Sequence, residues 1–373
     1  MRVALIVPGG VDRSGRFRVI PVLLALIKRL ARRHEVVVIT LHQEPQPCEY
    51  SLFGARIINL GDCPGTTPLR TIKRIWRSLS VLRAIGPFDL LHAFWVHEPG
   101  TIAIACSRVL KTPCIVSIGG GELVWLPEIT YGGQRRKIDR ARNWIVLSAA
   151  AAVTAGSNYS LAPLKRIRPD AMPVVLGVED FPATDAVETS NGPPWRLLHV
   201  AGLNKVKDQA TLVQAVRFVI DAGCPVQLDC FGPDTLKGKV HDLAGRLNLN
   251  GVVKFHGFRP LDEIVPFYRA AHLYLQSSLH ESMGASVLEA AKAGVPTVGT
   301  SVGLVAQLAP QAAVAVPLRD PSLMADQIVR LLKDTPRRSS LGAAARDFAI
   351  SHDPDWTCAR FEEIYSRVVH QVS

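Results

Sequence analysis

The feature that most constrains this chain is a regular alternation of short apolar runs with helix-forming stretches. Leu273 to Ser278 predicts a buried strand, a loop follows, Ser286 to Ala293 consists of good helix formers, and Thr297 to Thr300 predicts another strand. A glycine and a proline end the helix between them. A strand, a helix and a strand at this spacing predict a right-handed parallel crossover, which is the building unit of a doubly wound sheet.

The same alternation begins at the N-terminus. Val3 to Val7 predicts a first strand, which Gly9 and Gly10 follow, and Val19 to Leu30 has the apolar spacing of a helix. Further strands are predicted at Val36 to Thr40, Arg56 to Leu60, Asp89 to Phe94, Pro113 to Ile118 and Ala152 to Ser157. The opening MRVALIVPGG is too short for the apolar core of a signal peptide, and no apolar run approaches ~18 residues, so we expect no membrane-spanning segment.

The alternation restarts at Arg196, after a change in composition. Residues Glu179 to Trp195 are acidic and rich in Pro, Thr and Gly, which is typical of a linker. A chain of 373 residues fits two domains of ordinary size. We therefore expect a first domain over residues 1–178, a linker over 179–195, a second domain over 196–352 and a C-terminal helix over 353–373.

Charge and cysteine content narrow the function classes. Lysine and arginine outnumber aspartate and glutamate, 43 to 32, and this net charge of +11 predicts an acidic partner such as nucleic acid, anionic lipid or a phosphorylated substrate. Nucleic acid is disfavoured, because no aromatic-rich strand or recognition-helix motif accompanies the charge. The seven cysteines form no CxxC motif and no Cys/His cluster, which argues against zinc and favours a reducing compartment, the cytoplasm.

Basic residues concentrate in the segment Leu69 to Gly86, which contains no acid and has the apolar spacing of a helix. Its cations are Arg70, Lys73, Arg74, Arg77 and Arg83, and its apolar stripe is Leu69, Ile72, Ile75, Trp76, Leu79 and Leu82. Two interpretations remain open: a surface helix of the first domain with a solvated polar face, or a helix that lies on an anionic membrane surface. A second basic cluster, from Arg135 to Arg142, slightly favours the membrane.

The loop before the helix at Ser286 carries the clearest chemical signal. It holds Glu281, and Glu289 follows with seven residues between the two. Such a loop lies at the C-terminal edge of a parallel sheet, where open α/β folds bind ligands, and the helix start suits a phosphate. Ionised carboxylates accept hydrogen bonds from diols, so the combination predicts a nucleotide sugar. The alternative is a purely structural role in a capping box, in which the Glu289 side chain accepts a hydrogen bond from the N–H of Ser286.

The string SSLHESMGASVLEAAKAGVPTVGT closely resembles the Glu-x7-Glu signature of the retaining GT-B glycosyltransferases of family 4, also called glycosyl transferases group 1. The resemblance covers nearly the whole chain. It implies two facing Rossmann-like, doubly wound domains and a C-terminal helix, Asp353 to Val369, that crosses back to the first domain. It also implies a retaining transfer of sugar from a UDP or GDP sugar, with no cofactor, to a glycan or lipid-linked acceptor. The sequence has no DxD motif in a suitable loop, so we expect the reaction to be metal-independent.

In the resembled family the second domain binds the donor. The resemblance implies that Glu281 holds the sugar hydroxyls, Glu289 the ribose diol and Lys207 the diphosphate. The expected donor-binding residues are Lys205, Lys207, Glu281, Ser282, Met283, Gly284, Ser286, Glu289 and Gly303. Two positions of the second domain depart from the family pattern. Gly202 replaces an arginine, for which only Lys205 could compensate, and Leu304 replaces the second glycine after the next strand.

The resemblance assigns the acceptor to loops of the first domain. Gly9 and Gly10 match a glycine loop, His97 lies in a His-Glu-Pro loop, and Glu122 keeps the acidic position of a later loop. Gly119 stands where the family has a histidine, so the role of that histidine cannot be carried over. The expected catalytic residues are therefore Glu281, Lys207 and His97, although a lone loop histidine is more often structural or solvent-exposed.

These departures leave two alternatives to an active transferase. One is a catalytically degenerate GT-B protein that acts as a binding or scaffold subunit. The other is a different nucleotide-sugar enzyme of the fold, such as an epimerase or a hydrolase. Retention of Glu281, Glu289 and Lys207 favours the transferase, which we expect on the inner face of the plasma membrane in cell-surface polysaccharide or glycolipid synthesis.

Overall fold

The computed structural model describes residues 1–61, 67–181 and 192–371. The chain divides into two compact units, of which the first comprises Met1–Glu179 and His352–Ser373 and the second Asp180–Ser351. Most of the segment expected to be a linker, residues 182–191, lies outside the described residues.

The first unit contains an eight-stranded sheet. Its strands are β1 (Arg2–Val7), β2 (Glu35–Thr40), β3 (Cys48–Leu52), β4 (Ala55–Asn59), β5 (Leu90–Phe94), β6 (Cys114–Ile118), β7 (Ala152–Ala155) and β8 (Met172–Pro173), in the order β3-β4-β2-β1-β5-β6-β7-β8. All pairs are parallel except β3 with β4. The sequence interpretation missed β3, because this edge strand alternates exposed and partly buried side chains and has no apolar run.

Helices cover both faces of this sheet. They are α1 (Pro21–Leu30), α2 (Pro68–Ile85), α3 (Glu98–Leu110), α4 (Lys137–Ala149) and the short α5 (Asn158–Leu161). Strand β1 explains the arrangement, since Ala4 and Ile6 join the core under α2, α3 and α4, whereas Val3 and Leu5 join the core under α1. A strand that is buried on both faces needs a continuous apolar run, which is the pattern that the sequence displays.

The second unit contains a six-stranded, wholly parallel sheet. Its strands are β9 (Trp195–Val200), β10 (Val226–Phe231), β11 (Val253–Phe255), β12 (Leu273–Gln276), β13 (Thr297–Thr300) and β14 (Ala313–Val316), in the order β11-β10-β9-β12-β13-β14. Its helices are α6 (Gln209–Asp221), α7 (Lys239–Arg246), α8 (Leu261–Ala270), α9 (Ala285–Lys292), α10 (Gly303–Leu308), α11 (Pro321–Lys333) and α12 (Thr335–Ser351). No helix among the described residues is long and apolar enough to cross a membrane.

The last helix, α13 (Pro354–His370), belongs to the first unit and packs against α1. A hydrogen bond of 2.7 Å joins the hydroxyl of Tyr365 to Nδ1 of His92 on the central strand β5. The other ring nitrogen of His92 bonds Oγ of Ser117 at 2.7 Å. Complete burial lowers the pKa of His92 to about 3, so this imidazole stays neutral and connects α13 to the middle of the sheet.

Helix α2 differs from its sequence interpretation at Arg74. This residue was counted among the surface cations, yet it is fully buried, and its guanidinium forms an ion pair with the carboxylate of Glu98 at the start of α3. The correction has a simple cause. A residue on the side of α2 that faces α3 has to be accommodated in the packed layer of helices, and a carboxylate in the first turn of α3 provides its counter-charge.

The apolar stripe of α2 also divides into two parts. Leu79 and Leu82 lie in the core, whereas Leu69, Ile72 and Trp76 are exposed. The expected single stripe was therefore wrong for the N-terminal half of the helix, which leaves its large apolar side chains in solvent.

The ion pair between Arg74 and Glu98 provides a stability test. Replacing Arg74 with Met leaves the buried Glu98 carboxylate without its counter-charge, so we expect the free energy of unfolding to fall by about 3–5 kcal/mol. The double variant with Glu98→Gln should recover most of this loss. Urea unfolding followed by circular dichroism measures both. The control is Arg217→Met, which removes a surface pair with Asp221 and should cost less than about 1 kcal/mol. A small loss for Arg74→Met would contradict the expectation.

Candidate functional site

Three loops of the second unit meet at the carboxyl edge of its sheet, where parallel α/β sheets bind ligands. The loop after β9 is joined to the loop after β12 by two hydrogen bonds: Leu279 N donates to Val206 O at 2.7 Å, and Ser277 Oγ donates to Lys207 O at 2.8 Å. The loop after β13 joins them, since Leu304 N donates to Met283 O at 2.7 Å. Residues that are far apart in the sequence therefore form one polar cluster.

Lys207 and Glu281 form an ion pair in this cluster. Nζ of Lys207 lies 2.5 Å from Oε1 of Glu281, and Oγ of Ser278 donates to the same oxygen at 2.6 Å. Both charged side chains are largely buried. The ammonium group of Lys207 has three protons, so it can donate to a further oxygen while it remains paired with Glu281.

The loop that carries Lys207 is held by local contacts. Oδ1 of Asn204 accepts hydrogen bonds from the N–H groups of Val206 and Lys207, both at 3.1 Å. Asp208, the N-cap of α6, has a left-handed φ of 46°. Such a conformation costs a non-glycine residue of order 1–3 kcal/mol and is concentrated at functional sites. The strain fixes the direction in which the chain leaves Lys207.

The helix that follows Glu281 begins differently from the capping-box interpretation. Gly284, with a φ of 92°, is the N-cap, and the helix starts at Ala285. Ser286 therefore lies inside the first turn, and its hydroxyl accepts from the Tyr274 hydroxyl at 2.7 Å. The capping box is wrong, because the left-handed glycine starts the helix two residues earlier and the carboxylate of Glu289 is engaged elsewhere.

Glu289 is buried, and its Oε2 accepts a hydrogen bond from the hydroxyl of Tyr268 at 2.6 Å. Burial raises the pKa of Glu289, and the bond from Tyr268 offsets part of that rise. Burial also raises the pKa of the neighbouring Tyr274. The negative charges of Glu281 and Glu289 raise this pKa further. Both glutamates thus lie close enough to Tyr274 for their charges to act on its hydroxyl.

Gly303 brings the loop after β13 against the loop that contains Glu281. A Cβ at this position would lie 2.5 Å from Met283 O and 2.7 Å from Cβ of Glu281, and its φ is 56°. No other residue fits here without displacing the Glu281 loop. Leu304, which stands where the family has a second glycine, is completely buried in the core of the unit.

The structure leaves the arginine position of the family pattern open. Lys205 is exposed to solvent, and no contact brings it to the ion pair of Lys207 and Glu281. At Gly202, a Cβ would meet no atom closer than 3.6 Å, and its φ lies outside the left-handed region. The backbone therefore tolerates a side chain at Gly202, but this protein has none there.

In the first unit, Gly9 and Gly10 form a tight loop after β1. Oε1 of Gln43 accepts from the N–H of Gly10 at 2.7 Å and from that of Val11 at 3.1 Å. Gly10 has a φ of 86°, and a Cβ there would lie 2.5 Å from Ile20. Glycine is therefore required by the backbone of the loop itself.

Glu122 braces the loops after β5 and β6. It is buried, and its carboxylate accepts from the N–H groups of Gly119, Gly120 and Val96 at 2.6–3.3 Å. Burial raises the pKa of Glu122, and these hydrogen bonds counteract the rise. The indole of Trp95, a residue with a φ of 74°, lies where a side chain at Gly119 would project, because a Cβ there would be 2.6 Å from Trp95 Nε1. A histidine at position 119 would therefore require the indole of Trp95 to move.

His97 is the N-cap of α3, and its ring packs against Gly133. Burial, together with the charge of Arg142, lowers the pKa of His97 to about 4. Its Nε2 is buried and has no hydrogen-bond partner within the described part of the chain. His97 is thus a neutral, partly buried imidazole, and its catalytic role stays a prediction.

The sequence interpretation missed four residues of this polar cluster: Asn204, Tyr268, Tyr274 and Ser278. Ser278 had a visible signal, because it precedes Glu281 by three residues in the motif string. The tyrosines had none, since each occupies an apolar position of a helix or strand, and their hydroxyl partners come from α9. Among the residues that the structure describes, no three His, Cys, Asp or Glu side chains gather as metal ligands would.

Comparisons with known proteins identify the class of this chain. Residues 21–176 match the model of Glycosyltransferase Family 4, and residues 194–334 match that of Glycosyl transferases group 1. The two models together cover most of the chain, and its two parallel-sheet α/β units superpose on solved GT-B structures. By domain family and by fold, the chain belongs to the GT-B glycosyltransferases, which confirms the predicted fold class.

Solved structures show the fold in full. Sucrose-phosphate synthase from Thermosynechococcus elongatus matches with a TM-score of 0.79 and 16% identity, and covers 100% of both chains. Anabaena HepE in complex with UDP and glucose matches with a TM-score of 0.77 and 17% identity over 98% of this chain and 99% of that chain.

Curated relatives match over shorter lengths. The D-inositol 3-phosphate glycosyltransferase of Corynebacterium urealyticum is 28% identical over 74% of this chain and 66% of its own length. The enzyme of the same name from Corynebacterium aurimucosum is 35% identical over 36% of this chain and 31% of its own length. The chain thus spans between about a third and two thirds of the length of these relatives.

The burial of Glu289 leads to a pH-dependent prediction. Its pKa is raised above the ordinary 4.5, so the folded protein loses stability as the pH rises from 4.5 through the folded-state pKa. Glu289→Gln keeps the acceptor for Tyr268 and removes the charge. We expect this variant to melt at a higher temperature than the wild type at pH 7.5, with a smaller difference at pH 4.5. Melting curves at both pH values measure it.

The matched control for Glu289→Gln is Asp326→Asn, which changes an exposed carboxylate of α11 and should show no comparable trend. A difference between Glu289→Gln and the wild type that does not vary with pH would contradict the prediction.

Proposed function

We propose that this protein is a retaining glycosyltransferase that moves a sugar from a nucleotide-diphosphate sugar to an acceptor hydroxyl. The observation that carries the proposal is the cluster at the carboxyl edge of the second sheet. There, one ion pair, the start of α9 and the buried carboxylate of Glu289 lie on loops that are joined to each other. A cation, a helix N-terminus and carboxylates match the phosphate and diol groups of such a donor.

We assign binding of the diphosphate to Lys207 and to the start of α9. Lys207 Nζ is held in place by Glu281, and the N–H groups of the first turn of α9 follow Gly284 directly. Together they stabilise the negative charge that develops on the leaving diphosphate. They supply the positive charge for which other phosphate sites use a divalent metal, so we propose a metal-independent reaction.

The two glutamates are the candidates for binding the hydroxyl groups of the donor. We assign the sugar hydroxyls to Glu281 and the ribose diol to Glu289. Glu289 accepts a single hydrogen bond in the described structure, from Tyr268, whereas a carboxylate has about four acceptor sites. It therefore retains capacity for a diol. Among the structural neighbours, HepE was solved with UDP and with UDP-glucose, which supports a uridine donor.

The reaction breaks the bond between the anomeric carbon and the diphosphate oxygen, which keeps the electron pair. The acceptor oxygen bonds the anomeric carbon on the same face, and its proton passes to the departing phosphate. This step needs no protein nucleophile, and His97, which is neutral, contributes no charge to it. Catalysis then depends on the positioning and charge stabilisation provided by Lys207 and α9.

For the acceptor we propose a glycan or a lipid-linked sugar, in cell-surface polysaccharide or glycolipid synthesis, bound by the loops of the first unit near Gly10, Trp95 and Glu122. A phosphorylated polyol is the second candidate. It is favoured by the names of the relatives, which act on D-inositol 3-phosphate, and of neighbours that are trehalose-phosphate and sucrose-phosphate synthases.

A thermal-shift screen tests the donor proposal. We expect the melting temperature to rise with one class among UDP, GDP, ADP and TDP sugars. Glu289→Ala removes hydrogen bonds to a charged group, each worth roughly 1.5–3 kcal/mol, and should weaken binding of that donor about ten- to a hundredfold. Glu363→Ala, an exposed carboxylate of α13, is the control.

The outcomes of this screen separate the alternatives. A folded protein that responds to no nucleotide sugar would favour the scaffold interpretation. If the protein converts the donor to an epimer or a free sugar at the same rate with and without acceptor, it catalyses a reaction other than sugar transfer.

The open position at Gly202 gives a gain-of-function test. Gly202→Arg places a second cation in a loop whose backbone accepts a side chain, so we expect tighter donor binding by about tenfold, the lower end of a charge-assisted bond. Gly202→Met is the control with similar length and no charge. Titration calorimetry with the donor found in the screen measures both, and equal affinities of the two variants would overturn the phosphate assignment.

A further inference from the structure

We propose that α2 and α4 form one surface that docks on an anionic lipid bilayer. Both helices cover the same face of the first sheet and flank α3, which contacts each of them. We call this surface the docking face. Its exposed apolar residues are Leu69, Ile72 and Trp76 on α2 and Ile138, Trp144 and Ile145 on α4, and its exposed cations are Arg70, Lys73, Arg135, Arg136, Lys137 and Arg140.

The apolar residues form a row on each helix. On α2, Leu69, Ile72 and Trp76 have the spacing i, i+3, i+7. On α4, Ile138 and Ile145 have the spacing i, i+7, and Trp144 directly precedes Ile145. Leu69 is 80% exposed, Trp76 65%, Ile138 70% and Trp144 57%. Single exposed apolar residues need no explanation, but two rows on helices that flank a third mark an interaction surface.

The charges of the docking face oppose their local setting. Arg70 lies in the first turn of α2, and Arg136 and Lys137 lie at the start of α4, where the helix dipole disfavours cations. The first turn of α2 contains no acid, and the acid in the first turn of α4, Asp139, is paired with Arg142. The six exposed cations form no ion pair within the described part of the chain. Residues that violate a local rule without a compensating contact point to a function.

A bilayer fits this face better than a second copy of the chain. A two-fold dimer would place the same positive surface against itself, so the cations would repel each other. Anionic headgroups attract lysine and arginine, and tryptophan prefers the boundary between headgroups and acyl chains. Apolar rows with two tryptophans and a basic surround therefore have the chemistry of a helix pair that lies on the membrane surface.

The position of the face relates it to the acceptor loops. Crossover helices run opposite to the parallel strands, so the N-termini of α2 and α4 lie at the carboxyl edge of the first sheet, the edge from which the loops at Gly10, Trp95 and Glu122 emerge. A chain docked through this face holds that edge at the membrane. The inference does not depend on the proposed function, because it concerns a surface and needs no substrate.

Cosedimentation of the full chain with vesicles tests the docking face. We expect binding to vesicles of phosphatidylcholine mixed with phosphatidylglycerol and none to phosphatidylcholine alone, with weaker binding at high salt. The paired variants Trp76→Ser with Trp144→Ser, and Lys73→Glu with Arg136→Glu, should each weaken binding at least about tenfold. Matched controls on the second unit are Phe218→Ser and the pair Arg330→Glu with Lys333→Glu, which should bind like the wild type.

Quenching by brominated lipids adds a positional readout. The tryptophan fluorescence of the wild type should be quenched by anionic vesicles with brominated chains, and Trp76→Phe with Trp144→Phe should lose most of that quenching.

Three results would overturn the proposal: no sedimentation of folded protein with anionic vesicles, binding that survives both paired variants, or a concentration-dependent dimer in light scattering that the same variants abolish. The last result would assign the face to a second copy.

Discussion

The hydrogen bonds between the loop after β9 and the loop after β12 hold the site of the second unit together. One of them joins two backbone groups, Leu279 N–H and Val206 C=O, and the other uses the hydroxyl of Ser277. Because these bonds fix the loops, Lys207 and Glu281 meet although they stand 74 positions apart. The strained φ of Asp208 is tolerated for the same reason, since the surrounding contacts determine the course of the chain.

Buried carboxylates divide into two kinds in this protein. Glu122 accepts from three backbone N–H groups, and Glu98 is paired with Arg74, so both are satisfied by the fold. Glu289 accepts from one tyrosine hydroxyl while burial keeps its pKa raised. A buried carboxylate whose acceptor sites are only partly used lowers the stability of the folded protein. Residues that lower stability in this way are concentrated at binding sites.

The first unit shows how one side chain can exclude another. The indole of Trp95, held at a positive φ, occupies the space beside Gly119, so the histidine of related sequences has no room there. The same edge of the sheet carries the start of α3 with its neutral His97. The loops after β5 and β6 of the first unit are thus packed around an aromatic ring and the buried carboxylate of Glu122. The loops of the second unit keep Lys207 and Glu281 of the family pattern, but not its arginine.

Much of the architecture was readable from the sequence. Continuous apolar runs predicted the parallel strands, because a strand that is covered on both faces shows no alternation, and β13 was placed without error at Thr297 to Thr300. Edge strand β3 was missed, since its side chains face solvent on alternate positions. The Glu-x7-Glu string gave the site, because all its residues lie on one loop and one helix.

Only the tertiary structure determines which side chains that are far apart in the sequence come into contact. Nothing in the helix pattern distinguishes the buried Arg74 from the exposed Lys73, or the buried Leu79 from the exposed Trp76, since amphipathic spacing fixes the relative angle of side chains but not which neighbour covers them. Likewise, Tyr268 has the spacing of a core residue, and only the packing of α8 on α9 brings its hydroxyl to Glu289. The sequence determined the elements, their order and the charged motif, because these depend on local spacing. The tertiary structure determined which polar groups are satisfied and which remain open to a ligand, because that depends on contacts between distant segments.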